Sequence, residues 1–437
     1  MKKSLLSMMV LLGTSGLAHA DNLLDIYHLA QQKDPQLLEA KAVRDKAFEA
    51  INEAEAAQLP QINLGANLGY QKTNSSDYGT AGSAGANLGL SQSLYRRSNW
   101  INSDISAKAA TQADVAYNAE QQNLMVRSAQ AYFAVLSAQD TLEFAKANLQ
   151  ALQRQLDETQ QRYEVGMTAI TDVHEAKAAA DLAEANVIEA ENALSNSYEG
   201  LRQLTGAEHK FLDILNTERF ATSPLELDAD SWMKLAEDSN LSLHSQRIAK
   251  EIAKQQIELA QTGHEPTLDL SASLSSAYTD YKNSGPSYND GTLNTGAVGL
   301  QFNLPLYQGG AVDSRVKQAQ YSYVAASEAL EKTFRDVQAT LNRNYNDVNG
   351  SIGTVRAYQQ SVISAESALT ATRAGYEVGT RTVVDLLDAT RNLYSAKQQL
   401  STARYNYILN RLAIKQTAGT LSEEDLLGVN QGLKPAS

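Results

Sequence analysis

Four short segments of this chain alternate, residue by residue, between apolar side chains and small or polar ones. A period of two is typical of β-strands that expose one apolar face. Each segment has about the 9–11 residues that cross a bilayer at a tilt, and its other face carries mainly Gly, Asn, Gln, Ser and Thr, as in a water-filled lumen. The predicted strands are 61–70, 84–94, 267–278 and 295–306, joined in pairs by loops at 71–83 and 279–294.

Helical patterns lie between these pairs of strands. The longest, 96–164, contains no proline and would reach roughly 100 Å at ~1.5 Å per residue. Further helices are predicted over 22–58, 232–263 and 312–376. After each long helix the chain returns with apolar residues at alternating spacings of three and four, the heptad seam of a coiled coil. The seams are Val173, Ala176, Ala180, Ala183, Val187, Ala190, Leu194, Leu201 and Leu204, then Leu386, Ala389, Leu393, Ala396, Leu400, Ala403, Tyr407 and Ile414.

One ten-residue phrase occurs twice, each time between a long helix and its return helix. It reads YEVGMTAITD at 163–172 and YEVGTRTVVD at 376–385. A glycine after one helix, followed by a polar residue and an acidic first turn, is typical of a helical hairpin. The sequence therefore predicts two hairpin tips, near Gly166 and Gly379.

The whole pattern is duplicated around these tips. Residues 21–228 and 229–420 each predict a helix, a strand, a loop, a strand, a very long helix, a tip and a helix. Residues 421–437 predict a short helix and a polar tail. Residues 1–20 have the basic start, apolar run and Ala-His-Ala site of a cleaved signal peptide. An uncleaved anchor helix is the alternative, although the apolar run is shorter than the ~20 residues that span a bilayer.

Composition narrows the class of protein. The 437 residues include 37 Lys and Arg against 50 Asp and Glu, a net charge of −13, which disfavours nucleic acid as a partner. There is no cysteine, so disulfides and thiolate metal sites are excluded. No later segment is apolar enough for a membrane-spanning helix. An exported, acidic protein without cysteine is typical of the bacterial envelope.

The four amphipathic strands pose a closure problem. An open sheet of this kind leaves its edges and one apolar face exposed, so several chains must contribute to a closed barrel. Two chains would give eight strands and three would give twelve, and only the larger barrel leaves a useful lumen. A soluble α+β domain, in which helices cover the apolar face, is the alternative.

Candidate chemistry is sparse. The six histidines form no His-x-x-x-His or His-Glu-x-x-His pair, and no Walker loop is present, so the sequence predicts no enzyme, no cofactor and no metal site. Acidic residues follow both tips: Asp172 and Glu175 in the first repeat, Asp385 and Asp388 in the second. The plain interpretation is that each stabilises the dipole of its helix, by ~0.3–1 kcal/mol.

Three motifs add a resemblance that covers essentially the whole mature chain. They are LPLYQGG at 304–310, VKQAQY at 316–321 and GTRTVVDLLDAT at 379–390. With the duplicated layout and the two tips, they resemble the TolC family of outer-membrane efflux proteins. The resemblance implies an α+β membrane protein: a homotrimer whose twelve-stranded β-barrel, four strands per chain, continues into a long α-helical coiled-coil tunnel in the periplasm.

The same resemblance implies a function. The chain would export drugs, other small molecules and proteins as the exit duct of a tripartite system, opening like an iris at the periplasmic tips. Its partners would be outer-membrane lipid, a periplasmic adaptor protein and an inner-membrane efflux pump or ABC transporter. A structural or adhesive coiled-coil protein of the cell surface is the rival; it explains the heptad seams but not the lumen-like strands.

Site residues are carried over from the family position by position. Asp385 and Asp388 match aspartates that line the constricted periplasmic entrance, with Asp172 and Glu175 next in line. Tyr376 and Arg381 match residues that latch the inner hairpin to Thr171 and Asp172 of its neighbours. The tips at Gly166 and Gly379 are the expected adaptor-docking sites. Tyr163 occupies the repeat position of Tyr376, which indicates that this tyrosine is partly structural.

Overall fold

A computed structural model of the chain describes residues 21–72, 79–282 and 290–435. The predicted signal peptide, residues 73–78 of the first predicted loop and residues 283–289 of the second lie outside the described residues. The helices are α1 Leu23–Lys33, α2 Pro35–Ala56, α3 Arg97–Glu164, α4 Ile170–Thr205, α5 Ala229–Ser239, α6 Leu241–Gln261, α7 Ala311–Glu377, α8 Val383–Ala418 and α9 Glu423–Asn430. The strands are β1 Gln61–Lys72, β2 Thr80–Tyr95, β3 Ile214–Leu215, β4 Thr267–Lys282, β5 Gly291–Asn303 and β6 Leu433–Lys434.

The described residues divide into two compact units. The first takes residues 21–38, 120–236 and 339–435, and the second takes 39–119 and 237–338. Each unit therefore draws on both predicted repeats, and α3 and α7 contribute to both units. None of the helices in the described ranges combines the length and the apolar character that crossing a membrane requires.

The second unit contains an antiparallel sheet in the order β1-β2-β4-β5. Each predicted strand is present with shifted ends. Residues 80–83 belong to β2 because they pair with β1 on one side and with β4 on the other. The strand predicted over 295–306 runs instead from Gly291 to Asn303, which pairs with the first residue of β4. Pro305 has no N–H to donate and cannot extend the ladder.

One face of this sheet is apolar and exposed. Leu64, Leu68 and Val298 are 79%, 89% and 79% exposed, and the outer strands β1 and β5 each have one unpaired edge in the four-stranded sheet. In water such a face and such edges are a liability that natural proteins cover or blunt. The sheet of a single chain is therefore unfinished.

Both return helices of the first unit bury the predicted seams. In α4 every residue of the predicted seam is buried except Leu194, which is partly exposed. In α8 every one is buried except Ala389. The many alanines let α4 and α8 approach each other closely. The heptad prediction is confirmed for both helices.

A buried ionic cap lies between α1 and α2. Asp34 accepts a hydrogen bond from Leu37 N at 3.0 Å, which caps α2, and its two oxygens bind the guanidinium of Arg127 at 3.1 and 2.7 Å. Arg127 also contacts Glu120 at 2.9 Å. Asn240 lies between α5 and α6 as Asp34 lies between α1 and α2, and it caps α6 by accepting a hydrogen bond from Leu243 N at 2.9 Å. A charged aspartate therefore caps the helix in the first repeat, and a neutral asparagine caps the equivalent helix in the second.

Both ends of the described chain meet in the first unit. Asp21 pairs with Leu212, and β6 in the C-terminal tail pairs with β3 beside it. Leu23 N also donates to Asn430 Oδ1 at 3.1 Å. The connection over 207–228 and the tail after α9 therefore each contain a short strand that the sequence did not predict. A two-residue strand carries no detectable periodicity.

Candidate functional site at the two hairpin tips

The two tips share one backbone conformation. Gly166 and Gly379 both lie in the left-handed region, with φ of +76° and +78°. After each helix, two consecutive N–H groups bond back to carbonyls of its last turn, as in a Schellman motif. These bonds are Gly166 N to Tyr163 O (2.9 Å), Met167 N to Arg162 O (2.8 Å), Gly379 N to Tyr376 O (3.1 Å) and Thr380 N to Gly375 O (2.8 Å). The glycines at the predicted tips are thus required by the turn.

The return helices begin differently. At the second tip Thr382 and Asp385 form a capping box: Asp385 N donates to the Thr382 hydroxyl at 3.2 Å, and Thr382 N donates to Asp385 Oδ2 at 2.9 Å. At the first tip the cap position holds Ala169, which has no side-chain acceptor. There Asp172 accepts a bond from the Thr168 hydroxyl instead.

This box also fixes the charge of Asp385. The backbone N–H of Thr382, then its hydroxyl and finally the positive charge of Arg381 together lower the pKa of Asp385 below its ordinary value. The Asp385 side chain is 41% exposed, and Arg381 lies at 4.0 Å from it. Asp385 is therefore an exposed carboxylate that remains anionic throughout the neutral pH range.

Asp388, one turn further along α8, has a partner that sequence analysis missed. Its carboxylate forms an ion pair with Arg391. Asp388 and Arg391 line a groove of about 380 Å3 together with Glu175 of α4, so the acidic position of each repeat faces the same space. The signal was present in the sequence as an Asp and an Arg at a spacing of three, which are neighbours on a helix.

The two equivalent tyrosines have different surroundings. Tyr376 is 8% exposed within a hydrophobic cluster drawn from α3, α4, α7 and α8, and the guanidinium of Arg162 lies 4.7 Å from the centre of its ring. Its buried hydroxyl has no hydrogen-bond partner among the described residues of the chain. Tyr163 is 39% exposed. Of the two equivalent tyrosines, Tyr376 is therefore the one that packs in a hydrophobic core.

The predicted latch is not formed within a single chain. Among the described residues, Arg381 has its contact with Asp385, while Asp172 binds Thr168 and Thr171 is exposed on α4. The latch was predicted between neighbouring chains, so these single-chain contacts leave it a prediction.

Other chemistry-bearing groups are structural. His209 bridges Asp21 and Thr205 at 2.7 and 2.8 Å in the order of a catalytic triad, but Thr205 is 1% exposed and cannot meet a substrate. Within the described ranges, no group of three or more His, Asp or Glu side chains is arranged to hold a metal ion.

Comparison with known proteins identifies the family. The family model for outer membrane efflux proteins matches residues 26–207 and 232–420. The chain is 48% identical to the outer membrane protein TolC of Vibrio cholerae, over 97% of both chains. It is 31% identical to the protease secretion protein PrtF of Dickeya chrysanthemi, over 98% of this chain and 94% of the relative.

The fold agrees with a solved structure of the same kind. The outer membrane protein VceC of Vibrio cholerae superposes with a TM-score of 0.74 at 21% identity, over 91% of this chain and 96% of that one. Such a likeness shows the fold alone. The family match and the relative at 48% identity show more: this chain belongs to the outer membrane efflux protein family, and it is an outer-membrane channel protein that acts as an exit duct for efflux.

Proposed function

We propose that three copies of this chain close their sheets into one twelve-stranded barrel in the outer membrane. The observation that carries this proposal is the unfinished sheet, with its apolar face exposed and both outer edges unpaired. Twelve strands leave a lumen, and the apolar face then meets lipid. The helical hairpins of the three chains form the wall of a periplasmic tunnel.

The duct serves a tripartite system. Small toxic molecules leave through it, and the likeness to a protease secretion protein supports protein export as well. An inner-membrane pump or ABC transporter supplies the energy, and a periplasmic adaptor joins it to the duct. The two glycine tips, equal in backbone conformation, offer the adaptor repeated docking positions at Gly166 and Gly379.

A latch between chains holds the tunnel closed. The buried hydroxyl of Tyr376 has no acceptor among the described residues, and an unsatisfied buried polar group is costly, so a neighbouring chain that supplies one would stabilise the assembly. Arg381 is exposed and only weakly engaged with Asp385. Thr171 and Asp172 of the neighbour are the acceptors, and an iris-like untwisting of the second hairpin breaks these bonds.

The entrance selects by charge. Asp385 and Asp388 of three chains form two stacked anionic rings, which favour cations and bind multivalent ones. The hydrogen bonds from Thr382 that lower the pKa of Asp385 stabilise its anionic form, which supports this role.

The test is single-channel conductance of the purified trimer in a planar bilayer. We expect small cation-selective steps, blocked by La3+ from the periplasmic side in the wild type and insensitive to it in Asp385→Ala/Asp388→Ala. The matched control is Asp172→Ala/Glu175→Ala, which changes the equivalent positions of the first repeat and should retain the block. If the control variant loses the La3+ block and Asp385→Ala/Asp388→Ala retains it, the ring lies in the first repeat. Folded, inserted protein without conductance would overturn the duct and favour the surface coiled-coil protein.

A further inference from the structure

Arg391 lies among the carboxylates of the tip region. It forms an ion pair with Asp388, and it lines the groove that Glu175 also lines. A neighbouring groove of about 440 Å3 is lined by Arg391 and by Glu189 of α4. The guanidinium of Arg391 therefore lies at a surface where both α4 and α8 have acidic side chains.

The pair contributes little to the stability of α8. The side chains of Arg391 and Asp388 are 64% and 49% exposed, and exposed pairs at this spacing gain little because water screens them. The charges of Arg391 and Asp388 instead act on the electrostatic potential of the nearby surface, which exposed charges also change.

The two repeats differ at this position. In the first repeat Asp172 and Glu175 are followed, at the same spacing, by Ala178. The hydrogen bond given to Asp172 comes from Thr168, a neutral group. A basic residue three positions after the second acidic residue is thus present in the second repeat, where the entrance ring is proposed, and the first repeat has alanine there.

We infer that Arg391 is a specificity-determining residue, the built-in countercharge that lowers the cation affinity of the periplasmic entrance. This inference rests on the proposed entrance ring of Asp385 and Asp388. With Arg391 in place, the second turn of α8 is close to neutral, and Asp385, whose contact with Arg381 is long at 4.0 Å, supplies most of the anionic field of the ring. The entrance then favours cations without retaining multivalent ones tightly, so that cargo of either charge can pass.

The test is a set of charge variants, for each of which the La3+ concentration that blocks half of the conductance is measured in planar bilayers. Arg391→Gln should lower the La3+ concentration for half-block by about tenfold, because a unit positive charge within several ångströms of a trivalent ion is removed. Asp388→Asn should raise that concentration. The double variant Asp388→Asn/Arg391→Gln restores the wild-type charge and should restore wild-type block.

Two controls separate charge from structure. Arg391→Lys keeps the charge and should behave as the wild type. Arg335→Gln removes an exposed arginine from the part of α7 in the other compact unit and should change nothing. Thermal melting of Arg391→Gln should match the wild type, since the pair is exposed.

The outcomes distinguish the two proposals. If Asp388→Asn weakens block while Arg391→Gln leaves it unchanged, the countercharge is overturned and the entrance ring stands. If Arg391→Gln acts only by lowering the melting temperature, the residue is structural and the inference fails. If neither Asp388→Asn nor Asp385→Ala/Asp388→Ala alters block, the ring itself fails and the inference falls with it.

Discussion

At the first hairpin tip, the tyrosine that opens the repeated phrase is 39% exposed and the helix after it begins at an alanine that cannot cap it. At the second tip, the equivalent tyrosine is 8% exposed and the next helix begins with a threonine–aspartate capping box. The backbone turn is the same in both. Duplication has thus preserved the turn, while the side chains around it have diverged towards packing at one tip and exposure at the other.

The largest expected effect concerns the charged cap of α2 at Asp34 and the neutral cap of α6 at Asn240. Arg127→Leu leaves the buried carboxylate of Asp34 without its cation and should cost about 3–5 kcal/mol. The midpoint of urea unfolding of the detergent-solubilised protein measures the loss. Asp34→Asn/Arg127→Leu copies the neutral cap of α6 and should recover most of it. A double variant no more stable than Arg127→Leu would contradict the argument from unpaired charge.

The next effect tests whether the two turns are equivalent. Gly166→Ala and Gly379→Ala each place a Cβ in the left-handed region, at about 1–2 kcal/mol, and neither new atom meets a neighbour within 4 Å. Urea unfolding should therefore show similar losses at the two tips. Gly350→Ala is the control: this glycine lies within α7, where alanine is favoured, so stability should hold or rise. Losses that differ strongly between the tips would show that side chains, and not the turn, set the cost.

A smaller effect exchanges the caps. Thr382→Ala should destabilise the chain by about 1 kcal/mol, because Thr382 is the acceptor for Asp385 N. Ala169→Thr adds a potential cap at the first tip and should stabilise by up to a similar amount. Thermal melting compares the two variants. A neutral outcome for both would mean that the ends of α4 and α8 are held by packing alone.

Thr382→Ala should also change the pH dependence of the block by La3+. The hydrogen bonds from Thr382 lower the pKa of Asp385, so its carboxylate contributes stability above its ordinary pKa, and that contribution is lost only as pH falls through the lowered value. Block by La3+ should disappear over the same range. In Thr382→Ala the pKa rises towards its ordinary value, and block should be lost at a higher pH. Conductance titrated from pH 7 downwards measures the shift, with Ala169→Thr as a control that should not move it.

The smallest effect on stability concerns the tyrosines. Tyr376→Phe removes a buried hydroxyl that has no partner in the described part of the chain, so the stability of the isolated chain should change by less than about 0.5 kcal/mol. In the assembled duct the same change removes the proposed latch bond and should raise single-channel conductance. Tyr163→Phe should leave conductance unchanged. Equal conductance for Tyr376→Phe and the wild type would remove this hydroxyl from the latch.

Sequence periodicity predicted the elements well where one rule decides the structure. The seams of α4 and α8 are repeated alanines and leucines, and the glycine turns admit few alternatives. The burial of Tyr376 but not Tyr163 could not be predicted, because both tyrosines begin the same sequence YEVG and their burial depends on the helices that pack around them. The ion pair of Arg391 was visible as a spacing, but its importance depends on Glu175 of another helix. The pairing of β3 with β6 joins distant segments that carry no pattern of their own.

The meeting of the two chain ends has a consequence for how the protein matures. The bond between Leu23 and Asn430 joins residues 407 positions apart, and β6 can pair with β3 only once residues 433–434 are present. Contacts of such separation form late, since a very long loop must close before they stabilise anything. The cluster therefore remains incomplete until the segment that carries α9 and β6 is present. A chain truncated before residue 430 would lack that closure and leave Leu23 N without this partner.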